Sequence, residues 1–238
     1  MAQLKVLSSS SVGNCYILDC DGEKLIIELG CSWNDILSNI KYDLSKVCGA
    51  LVSHKHHDHS KSISNALRYG LSVYSCEDVQ SIHPKVKVLK KGVKTRIGKF
   101  TVQPIPVEHS VECYAFLIES KNMGRLVFVT DCSSFPYKIK NVNHFLIEAN
   151  YSDDIAIDNM CNGFDNRSMS NQHLEINDTI DALKWNYSSS MQTVLLLHLS
   201  SGNSNADEFK QRVKDELGFS NVYVADKGLT INLDKDEF

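Results

Sequence analysis

The chain carries four histidines and an aspartate within six consecutive positions, His54 to His59, in the stretch "LVSHKHHDHSKS" directly after the apolar run "CGALVS". That run suits a strand buried on both faces. In an extended segment alternate side chains share a face, so His54, His56 and Asp58 are expected to converge while Lys55 and His57 point away. His59 then begins the turn into a helix. Imidazole and carboxylate suit zinc, iron or manganese, and two cations ~3.5–4 Å apart would account for so many ligands in so short a stretch. A solvated histidine-rich loop is the plainer reading. Recurrence argues against it: His109 after "QPIPVE", Asp131 after "LVFVT" and His198 after "TVLLL" also close apolar runs, where a sheet scaffold presents ligands at one edge. Together they make a set of five histidines and two aspartates.

The rest of the chain supplies a frame. "LKVL", "NCYILD" and "KLIIELG" read as hairpin strands, with a turn at Asp21-Gly22. Ser32 with Asp35 caps a short helix around "WNDILSNI", and a second helix, "KSISNALRYG", follows the histidine cluster and ends at Gly70. From about residue 72 to 130 the pattern returns to strands, broken at Lys91-Gly92, Ile97-Gly98 and Met123-Gly124. Then come the strand "NHFLIEAN", a helix near 175–186, the strand "QTVLLLHLS", a helix near 205–217, and closing strands "NVYVAD" and "LTINLD". Strands dominating both halves with helices between them predict an α/β fold of two mixed sheets, helices outside: a four-layer αββα sandwich. At 238 residues with 4 prolines and no low-complexity tract, residues 1–238 are expected to form one domain.

No run of eighteen apolar residues and no secretion signal are evident, so a cytoplasmic protein with no membrane partner is expected. The 8 cysteines make no Cys-x-x-Cys pair and read as reduced core residues. A net charge of -4 disfavours sequence-independent nucleic-acid binding by the whole surface. One local exception is "PKVKVLKKGVKTRIGKF", residues 84–100, with seven Lys or Arg and no acid. It reads equally as a strip that meets substrate phosphates and as a solvated hairpin guarding an exposed edge. Ser10, Ser11 and Asn14 in the first loop offer hydroxyls and N–H groups to a phosphate, or simply make a turn.

The string His-x-His-x-Asp-His, followed by a lone His, a lone Asp and a lone His on strand ends, closely resembles the metallo-β-lactamase fold superfamily. The resemblance covers nearly the whole chain. It implies that His54, His56 and His109 bind one metal, that Asp58, His59 and His198 bind the other, and that Asp131 bridges them. Zinc is the first expectation, with manganese or iron as alternatives. "SSSSVGNCYIL", "LLLHLSSGNSNADEF" and "VADKGL" look like the YycJ/WalJ-type branch, including its compact phage and bacterial versions, and this branch implies phosphodiesters. "FLIEAN" and "SNQHLEIND" resemble the segments that tRNase Z-like phosphodiesterases use beside their metals, so Glu148 and His173 map onto a proton-donating pair. Where the family has Asp in its "LIDxG" turn this chain has Glu28, whose extra methylene is expected to shift the hydrogen bonds that steady the ligands.

The resemblance implies a dinuclear-metal-dependent phosphodiesterase that hydrolyses DNA or RNA, foremost a DNA exonuclease. Asp58 would bind metal and orient the nucleophile, and His173, steadied by Glu148, would protonate the leaving group. The alternative is a phosphodiesterase for cyclic nucleotides or another small molecule, of the phage counter-defence type, which net acidity and the absence of a clamping insertion favour. A lactam or thioester hydrolase leaves Glu148 and His173 without a task, and a non-catalytic module would be expected to have lost ligands. A homodimer is compatible with all of these.

Overall fold

The computed structural model describes residues 1–162 and 172–235. Three antiparallel strands, β1 (Ala2–Ser10), β2 (Gly13–Cys20) and β3 (Glu23–Ile27), open the chain. Cys20 pairs with Glu23 across Asp21 and Gly22, both in the left-handed region at φ 53° and 79°, as a two-residue hairpin turn demands. After α1 (Trp33–Asn39), β4 (Val47–Leu51) joins β3 in parallel; α2 (His57–Ser60), α3 (Ile63–Arg68), β5 (Val73–Ser75), α4 (Glu77–Ile82) and β6 (Lys87–Val88) follow. The second sheet takes β7 (Thr95–Ile97), β8 (Phe100–Val107), β9 (Cys113–Ser120), β10 (Gly124–Val129) and β11 (His144–Glu148). It continues past α5 (Asp153–Cys161) and α6 (Ile176–Asn186) into β12 (Thr193–Leu197), α7 (Ala206–Leu217) and β13 (Val222–Val224). Last, β14 (Thr230–Asn232) returns to pair with β1.

The result is two sheets of similar plan, in the orders β14-β1-β2-β3-β4-β5-β6 and β13-β12-β11-β10-β9-β8-β7. Alternation along the strands sets the layers. Phe116, Ile118, Phe128, Leu146 and Leu195 join the core shared with Leu4, Leu18 and Ile26 of the first sheet, while Leu117, Val127, Phe145, Ile147 and Val194 turn to Ile180 and Leu183 of α6 and Phe209 and Val213 of α7. The expected four-layer αββα arrangement is thus present. Within each sheet, the parallel strands β3 to β6 and β10 to β13 direct their C-terminal ends, and the loops that follow, to the ligand-bearing edge.

Three local expectations change. The strand before the cluster ends at Leu51, so the motif lies in a loop and in α2 rather than on a strand end. The reason lies in β3: Glu28 turns left-handed at φ 65°, and its carboxylate takes over Ser53 N at 3.2 Å where the ladder would have continued. The helix expected over "KSISNALRYG" is confined to α3, and α4 and α5 add helices that the pattern concealed. Cys161 at the end of α5 is exposed, and Cys31 and Cys48 are half-buried, so these three are not core residues; all eight thiols are free. Among the described residues no helix is long and apolar enough to cross a membrane.

Candidate metal centre

Six segments bring the expected site residues together. The loop after β4 carries His54 and His56, with Asp58 and His59 in the single turn of α2; Asp131 follows β10, Glu148 closes β11 and His198 follows β12. His109 comes from the β8–β9 connection and His173 from the segment before α6. His54 and His56 come together in one group while Asp58 joins another, the two meeting at Asp131; an extended loop leading into a helical turn places all three. His57 is exposed and Lys55 turns to Asp78 at 3.0 Å, both away from the cluster.

Among the described residues, three groups of side chains could hold a metal ion. The first is His54, His56, His109 and Asp131; the second is Asp58, His59, Asp131 and His198; the third is Asp131, Glu148, His173 and His198. In the first, His56 Nδ1 lies 3.0 Å from His54 Nε2 and 3.2 Å from His109 Nε2. A tetrahedral metal with bonds of ~2.0–2.1 Å sets its ligand nitrogens ~3.3–3.4 Å apart, so the three rings already sit at nearly that spacing. In the second, His59 Nε2 lies 3.1 Å from Asp58 Oδ2 and 3.3 Å from Asp131 Oδ1, and His198 Nε2 lies 3.6 Å from Asp58 Oδ2. His198 Nε2 is buried without a hydrogen-bond partner among the described residues, and a buried orphan nitrogen facing carboxylates suits a cation held between them. The donor set therefore fits divalent metal. The third group is spoken for: Glu148 Oε1 accepts from His173 Nδ1 at 2.7 Å and from His198 Nδ1 at 3.0 Å.

The far ring nitrogens fix the orientation of the imidazoles, as metal-binding histidines require. His109 Nδ1 donates to the Gln172 carbonyl at 3.0 Å, and His54 Nδ1 lies 2.8 Å from Ser53 Oγ. Glu28, expected to serve this purpose, does so only at a distance. Its carboxylate stands 3.5 Å from His59 Nδ1, which makes no hydrogen bond, and is occupied with Ser53 N instead.

Four supporting contacts went unread in the sequence. Asn14, fully buried, reaches Asp58 Oδ2 at 3.3 Å and His59 Nε2 at 3.1 Å through its amide nitrogen, so it braces ligands rather than offering itself to a phosphate. Ser9 Oγ accepts from His198 N at 2.9 Å, and Asn150 donates to the His198 carbonyl at 2.8 Å; between them they hold His198 at φ 53°, in the left-handed region that residues other than glycine seldom adopt. Gly30 packs on the main chain of Asp58 so closely that a Cβ there would lie 1.6 Å from the Asp58 carbonyl oxygen. The first two residues of "SNQHLEIND", Ser170 and Asn171, lie outside the described residues.

Electrostatics divides the centre. Burial, with help from neighbouring imidazoles, pushes His54 well below the ordinary histidine range, and burial also lowers His56 and His109. Burial opposes charge on His59 and His198 as well, but carboxylates prevail: Asp131 and Glu28 raise His59 well up, and Asp131, Asp58 and Glu148 raise His198 to about 10. Burial likewise works against charge on Asp58 and Asp131, yet the adjacent histidines hold both below the usual carboxylate range. One group thus presents neutral imidazoles, and the other an ionic cluster whose protons a cation would displace.

No protein-family model matches the chain. It is 27% identical over 163 residues to an exodeoxyribonuclease YycJ of Bacillus anthracis, across 61% of this chain and 62% of that protein. It is 25% identical over 169 residues to an exodeoxyribonuclease WalJ of Streptococcus pneumoniae, across 63% of each. The matches therefore span less than two thirds of these relatives. Among solved structures, the metallo-β-lactamase fold protein YhfI of Bacillus subtilis aligns with a TM-score of 0.78 at 19% identity, covering 97% of this chain and 98% of that one. The short form of human tRNase Z aligns with a TM-score of 0.69 at 13% identity, covering 97% and 99%. Fold, ligand placement and sequence relatives agree: the chain has the metallo-β-lactamase fold and is similar in sequence to the YycJ and WalJ exonucleases.

Proposed function

We propose that residues 1–238 form a single catalytic unit, a dinuclear-metal-dependent phosphodiesterase that hydrolyses nucleic acid in the cytoplasm as a DNA exonuclease. His54, His56 and His109 would hold one divalent ion, and Asp58, His59 and His198 the other, with Asp131 shared. When bound, such ions act as Lewis acids toward a phosphoryl oxygen and lower the pKa of water, zinc being the first choice and manganese or iron the alternatives.

The chain's own residues account for the remaining chemistry. Asp58, kept ionised by its histidine neighbours, would accept a hydrogen bond from the attacking water or hydroxide and so orient it. The observation that carries the reading is Glu148 and His173. Burial disfavours the imidazolium of His173, yet the Glu148 hydrogen bond wins and raises its pKa, favouring the protonated imidazole at the rim of the metal cluster. Its ring lies 5.9 Å from His109 and 5.4 Å from His198, centroid to centroid. A proton donor so placed serves a leaving alkoxide, which a phosphodiester generates and which departs poorly unless protonated.

The test is a panel of end-labelled single- and double-stranded DNA, RNA and cyclic mononucleotides, offered to zinc- and manganese-loaded protein with Asp131→Ala as the blank. Asp131-dependent release of terminal nucleotides from DNA is expected. Turnover of cyclic nucleotides alone would replace this reading with that of a signalling-nucleotide phosphodiesterase.

A further inference from the structure

The seven cations of residues 84–100 are largely committed within the protein. β6 and β7 are the outermost strands of their sheets. Lys91 pairs with Glu112 at 3.1 Å and Lys94 with Glu119 at 2.9 Å; Lys87 donates to Ser72 Oγ, Lys99 to the Asp21 carbonyl and Arg96 to the Gly98 carbonyl. Charge spent in this way guards two exposed sheet edges.

Uncommitted positive charge lies on another face. A cleft of about 220 Å³ is lined by Lys61, Lys227, Gly13 and Gly30. It adjoins the metal centre, because Gly30 packs on Asp58 and Lys61 follows His59 by two positions. A second cleft of about 330 Å³ shares Asn39 with the first and brings in Lys5 and Lys41. Among the described residues none of these four lysines makes an ion pair, whereas the acids Asp19 and Asp43 pair with Lys24 and Lys46 and Asp35 alone in the clefts keeps an unpaired charge. Ser32 Oγ donates to Asp35 at 2.6 Å, Ser45 Oγ donates to Asp43 at 2.5 Å, and Lys24 pairs with Asp19. The half-buried Cys31 thiol is held below its ordinary range chiefly by its hydrogen bond with Cys15, with burial and Asp35 opposing and Lys227 and Lys61 assisting. Tyr42, next to Lys41, is 70% exposed. A basic groove with a free aromatic ring beside it is the combination by which proteins hold single strands.

We propose that the two clefts form one track beside α1 for the phosphate backbone of a single nucleic-acid strand, running to the metal centre. The track takes its role as a substrate path from the phosphodiesterase reading above, while its affinity for a strand can be measured independently.

The experiment is fluorescence anisotropy of a labelled single-stranded oligonucleotide with the full chain across a salt titration. Each lysine neutralised removes about 0.7 from the slope of log affinity against log salt, so Lys41→Ala/Lys227→Ala should flatten it by ~1.4 and weaken low-salt binding about tenfold. Lys91→Ala/Lys94→Ala should bind as wild type. The proposal is overturned if the groove variant matches wild type, if the strip variant takes the loss, or if wild type binds no single strand or prefers duplex. Metal-loaded wild type is also given bis(p-nitrophenyl) phosphate. Turnover with groove-independent binding removes the track and leaves the phosphodiesterase; groove-dependent binding without turnover removes the phosphodiesterase and leaves the track.

Discussion

Glu148 Oε1 accepts a hydrogen bond from His173 Nδ1 at 2.7 Å, tying a partly exposed imidazole to a carboxylate with no exposure at all. The same carboxylate is anchored by Cys132 N at 3.2 Å and Leu174 N at 3.1 Å, so it holds the ring from a rigid base. If the ring is the proton donor, His173→Ala should lower kcat on DNA by ~10²–10⁴. With bis(p-nitrophenyl) phosphate, whose leaving group departs as the anion, the loss should be much smaller. Equal losses on both substrates would assign His173 to binding or folding instead.

Glu148→Gln isolates the charge. The acid form of His173 is the active one, so activity falls as pH rises through its pKa. The carboxylate raises that pKa and extends activity to higher pH. An amide in its place should move the alkaline limb of the kcat profile to lower pH, and an unmoved limb would mean that another group titrates there.

Gly30 leaves no room for a methyl group against the Asp58 carbonyl. Gly30→Ala should cost on the order of 1–3 kcal/mol in unfolding measurements, as overpacking does. It should also weaken metal binding at the Asp58 group more than at the His54 group, because the strain falls on the loop that carries Asp58.

The two metal groups should differ in pH dependence. His54, His56 and His109 have lowered pKa values and are already neutral near pH 7, so their metal affinity should be nearly flat above that pH. His198, raised to about 10, gives up its proton to a cation, so affinity there should climb about tenfold per pH unit for each proton displaced, until that pKa is passed. Calorimetric titrations in buffers of different ionisation enthalpy would count the protons. Equal release at both sites would contradict the division.

The ligands were legible because each breaks an apolar run with a group that the core does not use, and because His54 to His59 are crowded beyond any turn requirement. Their supports were not. Asn14 and Asn150 act through hydrogen bonds to residues 44 and 48 positions away, and nothing in their own neighbourhoods marks the partner. The early end of β4 depends on Glu28 adopting φ 65°, where no glycine announces a left-handed residue. The helix α5 buries only Ala156 and so offers no apolar stripe to read. The two readings of the basic strip stayed level for a related reason: sequence shows the cations, while their partners Glu112 and Glu119 come from β9 and the residue before it.

The most direct measurement is the metal count of the intact chain by native mass spectrometry after zinc loading, beside variants of each group. Two ions are predicted for wild type, one each for His109→Ala and His198→Ala, and weakened occupancy of both sites for Asp131→Ala. A wild-type chain that holds one ion or none, while still cleaving DNA, would contradict the dinuclear account.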